Sequence, residues 1–270
     1  MIILAIFFCC LSLFFIYLFC LGGRTGHKDL NKLCGWKYAH RGLHNAERPE
    51  NSMAAFRAAL EHGYGIELDV HLMKDGNLAV IHDSSLMRVA GADVAIEDLT
   101  AEDLESYTLG SSDEHIPLFS QVLELYAGNA PLIVELKCAG NNHAELCRSA
   151  LEMLDSYDGL FCMESFDPRA TRWLRKNRPD IIRGQLSENW MKSAVKLPWL
   201  LKFAMTYHVS NIYTRPDFIA YKYADRTAFG TDICRNFWGI QGVSWTLKSP
   251  EEYETAIKEN WIPIFEGFEP

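Results

Sequence analysis

In the stretch YGIELDVHLMKDGNLAVIHD, residues 64–83, Ile66, Leu68, Val70 and Leu72 alternate with Glu67, Asp69, His71 and Met73. A period of two predicts a strand with one apolar face and one face carrying two carboxylates and an imidazole. Asp75-Gly76 then predicts a tight turn, with LAVIHD as a short return strand. Further apolar runs complete a set of eight predicted strands at 36–42, 65–73, 131–137, 159–166, 180–186, 210–216, 242–247 and 261–267. Between them, helical spacing follows recognisable starts: Ser52 before MAAFRAALEHG, Thr100 before AEDLESY, Asp167-Pro168 before RATRWLRKN and Ser249-Pro250 before EEYETAIKEN.

Strand-then-helix alternation repeated eight times predicts an α/β fold, a closed (β/α)8 TIM-type barrel over residues 36–270. An open doubly wound sheet is the alternative, but no G-x-G-x-x-G or Walker loop follows any of the strands. Residues 84–117 read as a short excursion and not as a second domain.

Residues 2–21, IILAIFFCCLSLFFIYLFCL, carry no charge, and a helix needs about 20 apolar residues to cross a bilayer. The expectation is one N-terminal transmembrane helix, an anchor over 1–22, followed by a juxtamembrane linker over 23–35. A cleaved signal peptide fits less well, because no basic residue precedes the run and no small-x-small pattern follows it. A lipoprotein reading through Cys20 is weaker still, with Leu18 and Phe19 where small residues belong. Arg24, Lys28, Lys32 and Lys37 all follow the span, which predicts a single-pass protein of the cell membrane with its soluble part in the cytoplasm. Of eight cysteines, three lie in the span and the others are scattered without a C-x-x-C pair, so they read as reduced thiols. The segment WMKSAVKLPWLLKFAMTYHV, 190–209, reads as a buried amphipathic helix broken at Pro198, the alternative being a bilayer-facing surface with Lys192, Lys196 and Lys202 near headgroups.

A balance of 26 basic against 35 acidic residues, net −9, disfavours nonspecific contact of the protein's body with nucleic acid or anionic lipid. In the predicted barrel the ionisable residues concentrate at C-terminal strand ends, where such folds build their sites. Glu67 and Asp69 are two apart and point to one side, and Glu135 and Lys137 repeat that spacing. Three converging carboxylates make a hard oxygen-donor site suited to one divalent cation, Ca²⁺ or Mg²⁺. His40 and His82 supply imidazoles for base and acid work. Arg41 offers a bidentate guanidinium for phosphate, and Lys137 a point charge. That set suits phosphoester chemistry, and no G-x-S-x-G elbow is present for acyl transfer.

Quoted in order, AHRG (39–42), PENS (49–52), AAFRAALEHG, IELDVHLMKDG, AVIHD with Leu86 and Arg88 beyond it, IPLFSQVLEL (116–125), LIVELK (132–137), ESF (164–166) and VSWTL (243–247) resemble the glycerophosphodiester phosphodiesterase family. The resemblance spans nearly all of the chain after residue 36. It implies a (β/α)8 barrel and metal-dependent hydrolysis of a small-molecule phosphodiester to sn-glycerol 3-phosphate and an alcohol. Carried over by motif, His40 and His82 are the acid/base pair, Glu67, Asp69 and Glu135 the metal ligands, and Arg41 and Lys137 the phosphate contacts. Asn51, with Glu50 beside it, supports the site, and Trp245 lines the pocket. Two departures bear on substrate: Met73 replaces a common threonine, and the last strand ends IFEGFEP where the family often has Thr-Asp-Pro, which places Glu266 and Phe268 at the mouth. A lysolipid cleaved at the membrane is the alternative substrate, and a noncatalytic binding module the alternative class. The stretch 64–83 leaves His71 without a role.

Overall fold

The computed structural model describes residues 1–270. Nine strands form one sheet: β1 (Tyr38–His40), β2 (Gly65–Leu72), β3 (Leu78–Val80), β4 (Leu132–Leu136), β5 (Phe161–Ser165), β6 (Arg183–Ser187), β7 (Phe218–Lys222), β8 (Gln241–Leu247) and β9 (Trp261–Phe265). Every strand except β3 runs parallel to its neighbours, and β1 pairs with both β2 and β9, which closes an eight-stranded barrel. β3 adds antiparallel to the upper end of β2, pairing Val70 with Val80 and Leu72 with Leu78, so the return strand is there as expected.

The period of two sorts each strand between two cores. Ile66, Leu68 and Val70 of β2, with Leu132, Val134 and Leu136 of β4, lie in the outer layer under the helices. Tyr38, Ile133, Cys162, Ile182, Phe218, Val243, Ile262 and Ile264 fill the barrel interior. Above that plug the inward positions turn polar: Glu67, Asp69, Glu135, Glu164 and Gln185 are all buried. Residues 84–117 add a small core of their own, in which Leu86, Ile96, Leu99 and Leu104 pack on Met73 and Ile81.

Four expectations need correction. The sixth predicted strand, 210–216, is a short helix, Asn211–Thr214, and the barrel strand lies just beyond it at Phe218–Lys222. Arg215 turns left-handed after the helix, and Asp217 then anchors the strand by accepting from the backbone of Arg183 and pairing with Arg24. The helix expected after Thr100 is only a 3₁₀ turn, Asp103–Ser106. Residues 23–35 are no free linker: Leu30 and Leu33, one helical turn apart, sit in the interior cluster, and the Tyr38 hydroxyl donates to Leu33 O at 2.9 Å. Arg24 closes the base by donating to Ile181 O and to both oxygens of Asp217. In 190–209 the helix is limited to Trp199–Thr206, with Trp199, Leu200, Leu201 and Phe203 on the surface where burial was expected.

The helix Ile2–Cys20 is 19 residues long and apolar enough to cross a membrane. Its last turn is built into the side of the barrel. Leu21 is fully buried with Ile219, Ile233, Cys234 and Ile240. Trp238 Nε1 donates to Leu18 O at 2.9 Å, Asn211 Nδ2 to Leu21 O at 3.2 Å, and the Arg215 guanidinium to Phe19 O and Gly22 O. All eight cysteines are free.

Beside that junction, His208 is wholly buried, with Nε2 on the Thr231 hydroxyl at 3.0 Å and Nδ1 unpartnered. Burial pushes its pKa down to about 3. The unfolded chain takes up this proton below about pH 6.5 and the native chain does not, so His208 costs about 1.4 kcal/mol of stability per pH unit as pH falls from there. His208→Gln, which keeps a polar atom near Nε2, is expected to flatten the fall in melting temperature between about pH 6 and 4. Parallel profiles for the two proteins would contradict this.

Candidate active site

The site starts from a backbone turn. After β1, Arg41 and Gly42 both take positive φ, at 54° and 81°. A side chain at residue 42 would meet the backbone of Ala55 at 2.9 Å, so only glycine lets the turn lie on the helix Met53–Glu61. Asn51 repeats the left-handed conformation at φ 54°, and its N–H donates to Arg41 O at 2.9 Å. Ser52 caps the helix by accepting from Ala55 N at 3.1 Å. The His-Arg-Gly and Asn-Ser pairs thus brace each other, and the Arg41 N–H donates to Glu67 O at 2.9 Å.

Strand register brings the carboxylates together. Asp69 lies opposite Glu135, and Glu135 opposite Glu164, across β2, β4 and β5. Ligand oxygens of Glu67, Asp69 and Glu135 all lie within 4.8 Å of one another. Lys137 Nζ sits between Asp69 Oδ1 at 3.0 Å and Glu135 Oε1 at 2.7 Å, and Arg41 Nε is 3.4 Å from Asp69 Oδ2. Asn51 Nδ2 donates to the same Asp69 oxygen at 2.9 Å. Burial, followed by repulsion from neighbouring acids, holds Glu67 and Glu164 well above the usual carboxylate range. Glu135 is raised as well, chiefly by burial, whereas Lys137 and Arg41 draw Asp69 down against its own burial.

These residues fit a divalent cation. Fully ionised, Glu67, Asp69, Glu135 and Glu164 oppose only Arg41 and Lys137, which leaves two negative charges in a buried all-oxygen cradle. Asn51 Oδ1 and Glu164 Oε2 are buried oxygens without a hydrogen-bond partner. Donors of this hardness and charge suit Ca²⁺ or Mg²⁺ and not a thiophilic metal.

Each histidine is backed by an acid. His40 Nδ1 is 2.5 Å from Glu266 Oε2, and His82 Nδ1 is 2.6 Å from Asp83 Oδ1. The His40 contact, the largest of its influences, holds Glu266 down to about 2, and Asp83 is lowered by Arg88 and His82 against its own burial. Both acids are therefore ionised acceptors, each Nδ1 carries the proton, and each Nε2 is left free. Burial lowers the pKa of both rings. His40 Nε2 lies 3.8 Å from Glu67 Oε2, at the edge of the cradle. From Asp83 a chain of ion pairs returns to the cradle: Arg88 bridges Asp83 and Glu50, and Glu50 Oε1 accepts from Arg41 Nη1 at 2.8 Å.

All of the expected site residues except Trp245 meet in this constellation. Trp245 stands across the mouth on β8, its ring 5.6 Å from that of Phe166. Arg41 and Lys137 both reach the cradle, where they are engaged by its carboxylates. His71, left open by the sequence, is a brace: Nδ1 meets Glu97 Oε1 at 2.7 Å, and Nε2 meets the His82 carbonyl at 3.2 Å. Glu164 was missed as a site residue, although it belongs to the quoted ESF motif; the register of β4 and β5 is what sets it opposite Glu135. Glu266 is at the mouth as expected, but Phe268 is not; it packs outside the barrel on Phe265 and Tyr253. The role of Glu266 gives a prediction. Glu266→Gln keeps the volume and removes the charge behind His40, and is expected to lower kcat about 10- to 100-fold with KM little changed. A change in KM alone would contradict a positioning role.

The glycerophosphoryl diester phosphodiesterase family model matches residues 40–260. A glycerophosphodiester phosphodiesterase of Caldanaerobacter subterraneus is 28% identical over 233 residues, 82% of this chain and 88% of that protein. Over a shorter stretch, 44% of this chain and 41% of the relative, the chain is 34% identical to a lysophospholipase D of Homo sapiens. The crystal structure of a glycerophosphodiester phosphodiesterase from Thermotoga maritima superposes with a TM-score of 0.65 at 27% identity, covering 86% of this chain and 94% of that one.

Proposed function

The chain belongs to the glycerophosphoryl diester phosphodiesterase family, and on that premise we propose that its barrel mouth hydrolyses glycerophosphodiesters to sn-glycerol 3-phosphate and an alcohol with His40 and His82 as the acid/base pair. Glu67, Asp69 and Glu135 are the residues that would hold a divalent cation, Ca²⁺ or Mg²⁺. When bound, such a cation polarises the phosphoryl oxygens and offsets charge developing at phosphorus. The observation that carries the reading is the pair of imidazoles, each fixed at Nδ1 by an ionised carboxylate, beside a cradle two positive charges short of neutral.

In this mechanism one histidine Nε2 takes the proton of the attacking hydroxyl while the other, as imidazolium, gives its proton to the departing alkoxide. The attacking group is water, or the substrate's own glycerol hydroxyl with water opening a cyclic phosphate afterwards. Glu266 and Asp83 stabilise the imidazolium that each transfer makes or consumes. Arg41 holds a phosphoryl oxygen from the left-handed turn, its guanidinium aimed by Glu50 and Asp69. Lys137 keeps Asp69 and Glu135 from repelling each other and supplies a positive charge to the bound phosphate.

The same reading makes the N-terminal helix a retained single-pass anchor with the barrel on the cytoplasmic side. In support, cleavage near Leu21 would strip the acceptors of buried Asn211 and of Trp238 and uncover Ile219 and Cys234. A second reading, with a lysolipid as substrate, is favoured by the likeness to the human lysophospholipase D and by the exposed apolar helix Trp199–Thr206.

Phosphorus-31 NMR of glycerophosphocholine incubated with the detergent-solubilised full chain tests the proposal. The expected phosphorus product is sn-glycerol 3-phosphate. Phosphocholine would mean the other phosphoester bond is cut, and glycerophosphocholine and lysophosphatidylcholine both left unchanged would mean a binding module.

A further inference from the structure

A third imidazole stands next to the acid/base site without a role in it. His44 follows the His-Arg-Gly turn by two residues, and one ligand atom from each of His40, His44 and Glu266 lies within 4.8 Å of the other two. All three residues are half-buried, and none of them belongs to the carboxylate cradle. His44 Nε2 is shielded from solvent and has no hydrogen-bond partner. A buried ring nitrogen that serves only to hold the fold is normally paired. Burial lowers the pKa of His44, so the ring is neutral near pH 7 and keeps a lone pair to donate.

The trio is assembled from both ends of the barrel domain. On one side Leu43 is buried and its N–H donates to Ala55 O at 3.0 Å, while the His44 N–H donates to Gly42 O at 2.9 Å. Asn45 Oδ1 accepts from the N–H groups of Glu47 and Arg48 at 2.9 and 2.8 Å, and Arg48 Nε donates back to Leu43 O at 3.2 Å. The backbone that carries His44 is therefore held before any ligand arrives. On the other side the Glu266 N–H donates to Leu247 O at 2.9 Å, and Lys248 Nζ lies 3.5 Å from Glu266 Oε1, which leaves Oε2 to His40. A cavity of about 440 Å³ opens beside the trio, lined by His44, Asn45, Arg48, Glu266 and Glu269 among others and by no cradle residue. A hydrated ion can enter there without passing the cradle.

Two imidazoles and one carboxylate are a borderline-soft donor set, unlike the all-oxygen cradle, and they favour a later transition metal over Mg²⁺ or Ca²⁺. Two nitrogens, one oxygen and a water in the fourth position suit Zn²⁺, with donors about 3.3 Å apart around a tetrahedral ion. Side-chain movement on the order of an ångström brings the trio to that spacing. We propose that His40, His44 and Glu266 form a second metal site, distinct from the cradle, at which Zn²⁺ inhibits the enzyme. The ion takes His40 through Nδ1, the nitrogen that faces Glu266, and the Nδ1 proton passes through solvent to Nε2, so the ring stays neutral. Nε2 then has no lone pair with which to accept a proton from the attacking hydroxyl, and Glu266 no longer backs the ring. The inhibition rests on the acid/base reading of His40; the binding of the ion does not.

The test uses the untagged full chain in detergent with Mg²⁺ saturating the cradle. Co²⁺, which absorbs strongly in the visible when four-coordinate, is titrated first, and one such ion per chain is expected in the parent and none in His44→Ala. With glycerophosphocholine as substrate, Zn²⁺ is expected to inhibit the parent. His44→Ala is expected to raise the half-inhibiting Zn²⁺ concentration at least about 30-fold, with turnover in the absence of zinc unchanged. Raising Mg²⁺ about tenfold is expected not to relieve the inhibition. His44→Gln keeps much of the volume without a ring nitrogen, and it decides the matter if His44→Ala does not fold. Equal inhibition of parent and variant, relief by Mg²⁺, or no four-coordinate Co²⁺ in the parent would overturn the site and leave the phosphodiesterase reading standing. A chain that cleaves no diester yet gives the His44-dependent Co²⁺ signal would sink that reading and keep the metal site.

Discussion

Replacing His82 with alanine is expected to lower turnover of glycerophosphocholine about 10²- to 10⁴-fold while leaving the barrel folded. The site's own geometry supports both halves of that statement. The His82 ring is partly exposed at the mouth, and its hydrogen-bond partner is the neighbouring Asp83, so its removal opens no cavity in the core. The backbone at residue 82 is held independently, by His71 Nε2 on its carbonyl. His40→Ala is expected to cost as much turnover but also some stability, because it strands Glu266 beside the buried cradle without its short partner. Since the two rings act on opposite sides of one reaction, the double variant is expected to fall well short of the product of the two losses. Steady-state kinetics with melting temperatures for all three proteins check this, and near-normal turnover in folded His82→Ala would remove His82 from the chemistry.

The second large effect concerns the cradle. Glu67 is buried, close to Asp69 and Glu135, and contacted by the Arg41 N–H at 3.3 Å, while Lys137 bonds the other two acids. Glu67→Gln is an isostere that removes one buried charge, so the cation-free protein is expected to be no less stable than the parent. Cation affinity is expected to fall at least about 100-fold. At a cation concentration of 100 times the parent's Kd, the parent gains about 2.7 kcal/mol of stability and a variant weakened 100-fold only about 0.4 kcal/mol. Turnover falls with occupancy and returns as the cation is raised. Equal cation-induced stabilisation of the two proteins would place the ion elsewhere.

Much of the fold is local and therefore legible. The alternation through Ile66, Leu68 and Val70 told the outer layer from the interior, and β3 followed from Asp75-Gly76. Glu67, Asp69 and Glu135 each lie on the inward side of a strand, which the period of two gives, whereas their convergence also needs the β2–β4 register that sets Asp69 opposite Glu135. What escaped depends on residues far apart in the chain. β7 was displaced because Asp217, which starts it, is defined by Arg24 and Arg183, and the apolar letters of SNIYTRP look as strand-like as those of FIAYK. Glu266 read as a departure at the last strand, and only closure of β9 on β1 brings it to His40, 226 positions away. The segment 190–209 has the composition of a core helix, and sequence alone does not distinguish an apolar face packed inside the protein from one left on its surface, as in Trp199–Thr206.

The most direct test of the whole reading follows sn-glycerol 3-phosphate release and melting temperature together while Mg²⁺ or Ca²⁺ is titrated into chelator-stripped protein. Both signals are expected to rise on one binding curve in the parent, on a curve displaced to higher cation in Glu67→Gln, and in His82→Ala the melting temperature alone is expected to rise. Full release from the stripped parent, with no response to either cation, would contradict a cation-cradling, two-histidine phosphodiesterase.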